Sequence, residues 1–374
     1  MYIRPVETRR PGRWPWLLLV LLVALGFWYV RILDPGVLGL IAGQKPPTPT
    51  STRVSSKERL DAADGYFLRG SVNEAIAEYR QIIEMEPGNS TAHARLGRLL
   101  TLRGHFSEGL HVAQRAVELD SESAENQAIL GMVLDWSGDY DPAIQACLKA
   151  IDLDPNYATA YAYLAEVYAD KGRLDRALQM ADKALSLDPE NYYARRNRGY
   201  ALERQGDYQA AASEYIEAIA LQPSVVYLHV SLGRTYRAAG DSDGAIDEYQ
   251  KAIGVDPHDA TGYDSLGQVY LERREYDEAT AYLKKATEAD PDYASAYGHL
   301  GWCYYAQRRY EDAIPQLEKA IALGANTVEV NYELGLSYVY ISDCAHARPW
   351  LQKALEIDPT AQPALQGLRE CEKK

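Results

Sequence analysis

The chain has few of the residues that build metal centres and catalytic sites. Its four cysteines (Cys147, Cys303, Cys344, Cys371) include no C-x-x-C pair, so a zinc ribbon is unsupported. Its seven histidines are scattered, without the His-Glu-x-x-His spacing of a zinc protease, and no Gly-rich phosphate loop is present. His93 and His229 fall on an apolar helix stripe, where a core imidazole is the simpler reading; His299, close to Trp302, faces the other way. No nucleophile triad, acid–base pair or metal cluster stands out, so we expect neither an enzyme nor a bound cofactor. Positive charge is scarce beyond residue 56: that stretch holds 32 basic and 51 acidic side chains, a net of −19. Such a surface excludes nucleic acid as a partner and would be repelled by anionic lipid headgroups.

Long apolar runs are also rare, and the exception lies near the start. Trp14–Val30 carries no charge and Ile32-Leu33 continues it beyond Arg31. Seventeen helical residues span about 26 Å, enough for a hydrocarbon core. Trp14 and Trp16 mark one end and Trp28 and Tyr29 the other, as interfacial aromatic anchors do. Arg4, Arg9, Arg10 and Arg13 precede the run against a single Glu7, which predicts a cytoplasmic N-terminus and a translocated remainder, in a bacterial cell membrane. A cleaved signal peptide shares the basic and apolar regions, but no small-x-small site follows the run closely, so an uncleaved single-pass anchor is the favoured reading. This divides the chain into a basic tail (1–13), a transmembrane anchor (14–33) and a linker (34–55). The Pro/Ser/Thr-rich part of the linker, Gln44–Ser56, spans roughly 40 Å if extended.

From Ser56 a 34-residue pattern runs nine times without insertion, to residue 361. Position 8 is always Gly or Ala (Ala63, Gly97, Gly131 and on to Gly335), and so is position 20 (Ala75, Gly109, Ala143 and on to Ala347). A small residue at both places means two helices too close for anything larger. Positions 4, 7, 8 and 11 form one stripe of a 3.6-residue helix. A turn Gly follows, as in Gly138-Asp139-Tyr140, and Ala at position 27 continues the second helix until Pro at position 32 stops it (Pro87, Pro155, Pro189, Pro223, Pro257, Pro291, Pro359). Arg274, Arg308 and Ser342 replace the turn Gly, Ser121 and Ala325 replace the Pro, and repeat five carries Arg195 and Arg198 on its apolar stripe. Residues 362–374 read as a polar capping helix. The four thiols read as buried and unpaired: Cys303 and Cys371 hold equivalent positions two repeats apart, too far to bridge.

These motifs resemble the tetratricopeptide repeat (TPR) over residues 56–361. The resemblance implies an all-α, right-handed superhelical solenoid of about nine helix-turn-helix repeats plus the cap, preceded here by the transmembrane helix, and a binding scaffold rather than a catalyst. It further implies that the first-helix face opposite the packing stripe lines a concave groove. At those positions stand Tyr193, Arg196, Tyr200 and Arg204, with Asn197 beside them, then Tyr227, Arg234 and Arg237. Trp302, Tyr305, Tyr332, Leu336 and Tyr340 follow in repeats eight and nine, with Met132 and Trp136 in repeat three. Arginines among tyrosines suit a carboxylate or phosphorylated ligand, although Arg196 has Glu166 or Asp170 of the preceding repeat as an alternative partner. The aromatic half suits protein hot spots. No three consecutive repeats match the family's chaperone-type carboxylate clamp, so a Glu-Glu-Val-Asp-like tail is not expected. The leading expectation is a membrane-anchored adaptor for a protein or peptide, with assembly of an envelope complex as its setting; the other is recognition of an acidic glycan or another non-protein ligand.

Overall fold

The computed structural model describes residues 55–373. The anchor expected at 14–33 and the basic tail lie outside them, and among the described residues no helix is long and apolar enough to cross a membrane. The unit Ser56–Lys374 is all-α. Its nineteen described helices form nine hairpins and a terminal helix: α1 Ser56–Leu68, α2 Val72–Met85, α3 Ser90–Leu102, α4 Phe106–Leu119, α5 Ala124–Trp136, α6 Tyr140–Leu153, α7 Ala158–Asp170, α8 Leu174–Leu187, α9 Tyr192–Gln205 and α10 Tyr208–Leu221. They continue as α11 Val226–Ala238, α12 Ser242–Val255, α13 Ala260–Glu272, α14 Tyr276–Ala289, α15 Ala294–Ala306, α16 Tyr310–Ala322, α17 Val328–Tyr340, α18 Cys344–Ile357 and α19 Gln362–Lys373. The solenoid, its repeat length and the capping helix all follow the expected pattern.

The small residues do what their spacing implies. A Cβ added at Gly97 would lie 2.9 Å from the Gly109 carbonyl oxygen, and one at Gly267 would lie 2.5 Å from Leu283 Cγ. Position 24 of the second helix lies against the position-8 glycine of the first. Leu or Tyr there faces Gly at position 8 in repeats five to nine, whereas Ala165 of repeat four faces Ala181, both fully buried. The turns keep one geometry even where Gly is missing: Gly138 has φ 86°, and Arg274, Arg308 and Ser342 have φ 60°, 60° and 67°. These three side chains hold a left-handed conformation that glycine adopts without strain. Aspartates precede five of the seven position-32 prolines and close those turns, as where Asp154 Oδ1 accepts from Asn156 N at 2.9 Å; Glu86 and Gln222 precede the other two.

Two departures are accommodated by side-chain chemistry. Arg195 and Arg198 both pair with Glu214, at 3.3 and 2.5 Å, so the apolar stripe of repeat five is interrupted by an ion-paired cluster. The thiol expectation needs correction. Cys147 and Cys303 are buried and free, but Cys344 and Cys371 form a disulfide that ties α18 to the terminal helix. The partner of Cys371 is Cys344 at the start of the neighbouring second helix, not its repeat-equivalent Cys303.

Candidate binding groove

The inner face of the solenoid is built by the first helix of each repeat. In repeats two to six those faces converge and fill one another. Arg98 of α3 lies over the Tyr193 ring of α9 at 5.9 Å and the Phe67 ring of α1 at 5.2 Å. Tyr163 of α7 meets Tyr193 edge-on at 5.2 Å. Arg196 of α9 sits over the rings of Trp136, Tyr200 and Tyr227 at 5.3–5.9 Å. The space left among Arg98, Trp136, Tyr163, Arg196 and Tyr227 is about 10 Å³, enough for about one water.

A clasp closes this turn of the superhelix. Arg103, just after α3, pairs with Asp256 and with Asp259 (2.7 Å) in the loop between α12 and α13, and all three side chains are buried. Beside it, a Cβ on Gly70 would collide with Val255 at 2.8 Å. Tyr293, before α15, lies against Gly104. The turns within the first two hairpins therefore rest on the ends of the repeats four and five further along.

The four arginines expected in the groove from the sequence already have counter-ions. Arg196 and Glu166 are an almost wholly buried pair, and Trp136 Nε1 donates to the same carboxylate at 3.0 Å. Burial opposes the Arg196 charge, but Glu166 outweighs it and holds its pKa far above the usual value. Asp135 lies in the same region, where burial and then the charges of Glu166 and Asp170 push its carboxyl up to about 9. Arg204 pairs with Asp170 at 3.3 Å, and Arg234 bridges Glu203 through two nitrogens at 2.9 and 3.3 Å. Arg237 donates to Gln268 at 2.9 Å and lies 3.9 Å from Glu272. Asn197 is buried, its amide donating to the Ala162 carbonyl at 2.8 Å.

Repeats eight and nine differ. Trp302 of α15 and Tyr340 of α17 are among the most exposed large apolar side chains, at 37% and 46%. Tyr305, Tyr310 and Tyr340 form a ring cluster with centroids 4.6–6.1 Å apart. Beside Trp302, between α15 and α17, opens a cavity of about 460 Å³ lined by His299, Thr327, Glu329, Tyr332 and Glu333 among others. His299 Nδ1 is 2.7 Å from buried Asp264; burial opposes its protonation, but that carboxylate prevails and raises its pKa. Glu333 is buried, and burial followed by the charge of Glu329 pushes its carboxyl up to about 8.

The structure thus divides the twelve sequence-derived positions. Tyr193, Arg196, Asn197, Tyr200 and Tyr227 meet inside the filled turn, while Arg204, Arg234 and Arg237 sit near it in neighbour-repeat ion pairs. Trp302, Tyr305, Tyr332 and Tyr340 form the accessible face. Leu336 and Met132, read as groove residues, are buried. Sequence reasoning missed Arg98, Arg103 and Glu333. Glu333 stands at position 6, the position of Asn197 and His299, and reading position 6 as groove-lining would have found it.

Tetratricopeptide repeat family models match residues 60–124, 103–158 and 137–197, and a model of the C-terminal domain of cilia and flagella-associated protein 70 matches residues 189–374. Comparison with curated proteins gave no match. Among solved structures, the APC/C hetero-tetramer Cut9-Hcn1 is similar at 18% identity and TM-score 0.59, over 80% of this chain and 59% of that one. This chain therefore spans less than two thirds of that relative. Yeast Tom70 is similar at 13% identity and TM-score 0.52, over 85% and 95% of the two chains. MamA shares 32% identity over 43% of this chain and 95% of its own, with a TM-score of 0.35. The first two likenesses establish the fold.

Proposed function

We propose that this chain, which belongs to the tetratricopeptide repeat family, is a membrane-anchored adaptor that binds a protein or peptide on the concave face of its last repeats. One observation carries the choice of face: the inner surface of repeats two to six is mostly occupied by its own side chains, leaving cavities of about 10 and 150 Å³ beside Arg196 and Tyr227. Repeats eight and nine instead leave Trp302 and Tyr332 around a cavity of about 460 Å³, with Tyr340 exposed on the same helix as Tyr332. Exposed Trp and Tyr beside a cavity suit a binding hot spot. An acidic ligand at the groove arginines would first have to displace Glu166, Asp170 or Glu203, which favours the aromatic face over the arginine centre.

The anchor at 14–33 would hold the solenoid at the membrane, and the arginine excess before it favours a translocated solenoid. The Cys344–Cys371 disulfide supports that orientation, because disulfides persist in oxidising compartments. The test is capture of partners by the full-length protein from detergent-solubilised membranes, with Trp302→Ala and Tyr332→Ala beside the parent. Loss of the same partner with both variants, each still fully helical, supports the reading; undiminished capture with both removes this face from consideration. A reporter fused after Lys374 and active only in the cytoplasm would reject the orientation.

A further inference from the structure

We propose that the cavity between α15 and α17 receives a basic side chain, lysine or arginine, of a partner protein, with Glu333 as its counter-ion and Trp302 as its aromatic wall. The inference rests on the scaffold reading above and names the chemistry of one contact within it.

Glu333 is 6% exposed and lines the cavity, yet among the described residues its carboxylate has no hydrogen bond or ion pair. Of the other buried carboxylates of the inner face, Asp135 also has no hydrogen-bond partner among the described residues for either oxygen, but it does not line this cavity, and three more are engaged. Glu166 has Arg196 and Trp136, Asp264 has His299 and Gln268, and Asp256 has Arg103. A buried carboxylate without a partner is costly as an anion, and here the group answers by holding its proton more tightly. A cation entering the cavity supplies the missing charge, and the carboxylate then pairs with it in a setting largely screened from water.

The surrounding charges favour the same sign of ligand. His299 is the cationic candidate on the wall, and Asp264 at 2.7 Å already neutralises it. Glu329 is exposed at the rim, so the remaining field is negative. Trp302 presents an exposed indole, the aromatic surface that attracts ammonium and guanidinium groups most strongly. A carboxylate or phosphate ligand would face two glutamates, and a purely apolar one would leave Glu333 more deeply buried and still unpaired. The volume, about 460 Å³, falls in the range of cavities that enclose ligand groups, roughly 300–1,000 Å³.

The experiment uses the full-length protein in detergent, labelled with 5-fluorotryptophan, with the Trp302 resonance assigned through Trp302→Phe. The probes are the N-acetyl methylamides of lysine, arginine and uncharged norleucine. The basic probes are expected to shift the Trp302 resonance with an affinity about tenfold or more tighter than norleucine. Glu333→Gln, isosteric and uncharged, is expected to abolish that preference without loss of helical signal. Equal affinity for the three probes, no shift with any of them, or a preference that survives Glu333→Gln overturns the inference. If partner capture depends on Trp302 and Tyr332 while the basic preference is absent, this inference falls and the scaffold reading stands. If capture is independent of both residues, the two fall together.

Discussion

Consider Gly267→Ala, a single methyl placed between α13 and α14. The new Cβ would lie 2.5, 2.6 and 3.3 Å from Cγ, Cδ2 and Cδ1 of Leu283, which is wholly buried. Leu283 has no free direction in which to retreat, so the helices must part or the side chain must leave its rotamer. Overpacking of that kind costs about 1–3 kcal/mol. Leu283→Ala alone removes a buried leucine and costs about 2–5 kcal/mol. In the double variant the added methyl enters space the leucine has vacated, so the steric cost disappears and the pair is less damaging than the sum of the singles by about 1–3 kcal/mol. Repeat four already carries this combination as Ala165 facing Ala181. Urea unfolding followed by helical signal gives the stabilities. Hydrogen exchange in α13 and α14 shows whether the loss is local, as contacts between neighbouring repeats require. Tolerance of Gly267→Ala, or additivity within about 0.5 kcal/mol, would refute the close-packing account.

Two further outcomes follow from the structure. Arg103→Ala strands Asp256 and Asp259 in a buried clasp and is expected to destabilise the protein by about 3–5 kcal/mol. Small-angle scattering should show the first superhelical turn opening, and an unchanged profile and stability would mean the clasp is not closing it. Glu333 has a folded pKa of about 8, above its ordinary value of 4.5. Its stabilising contribution is therefore complete below about pH 4.5 and is lost as pH rises toward and through 8. Glu333→Gln should accordingly raise the urea midpoint more at pH 8.5 than at pH 5; an equal effect at both would contradict the burial of an unpaired carboxyl.

What could be read from the sequence, and what could not, separates by range. The hairpins follow from local chemistry: small residues at positions 8 and 20, a turn, and a proline stop. The turn persists at Arg274, Arg308 and Ser342 because flanking helices fix it regardless of residue type. Ion pairs one repeat apart, such as Arg196–Glu166, are legible once the period is known, and that pairing was one of the two readings open for Arg196. The clasp is not legible. Arg103 and Asp256 are 153 residues apart, and their meeting depends on small rotations accumulated over several repeats. That same closure decides which groove residues are accessible, so periodicity found the inner face without showing that its first turn fills itself. The disulfide was missed because equivalent positions were compared, whereas Cys344 and Cys371 meet across the interface between a second helix and the cap.

The claim at the centre of this account is that partners bind the inner face of repeats eight and nine while the inner face of repeats two to six serves its own packing. Site-specific photo-crosslinking in intact membranes tests it most directly, with a photoreactive phenylalanine analogue placed singly at Trp302, Tyr332, Tyr340, Tyr200 and Trp136. The account predicts adducts to the same partner protein from the first three positions and none from Tyr200 or Trp136. Adducts from Tyr200 and Trp136, with none from Trp302, Tyr332 or Tyr340, would contradict it.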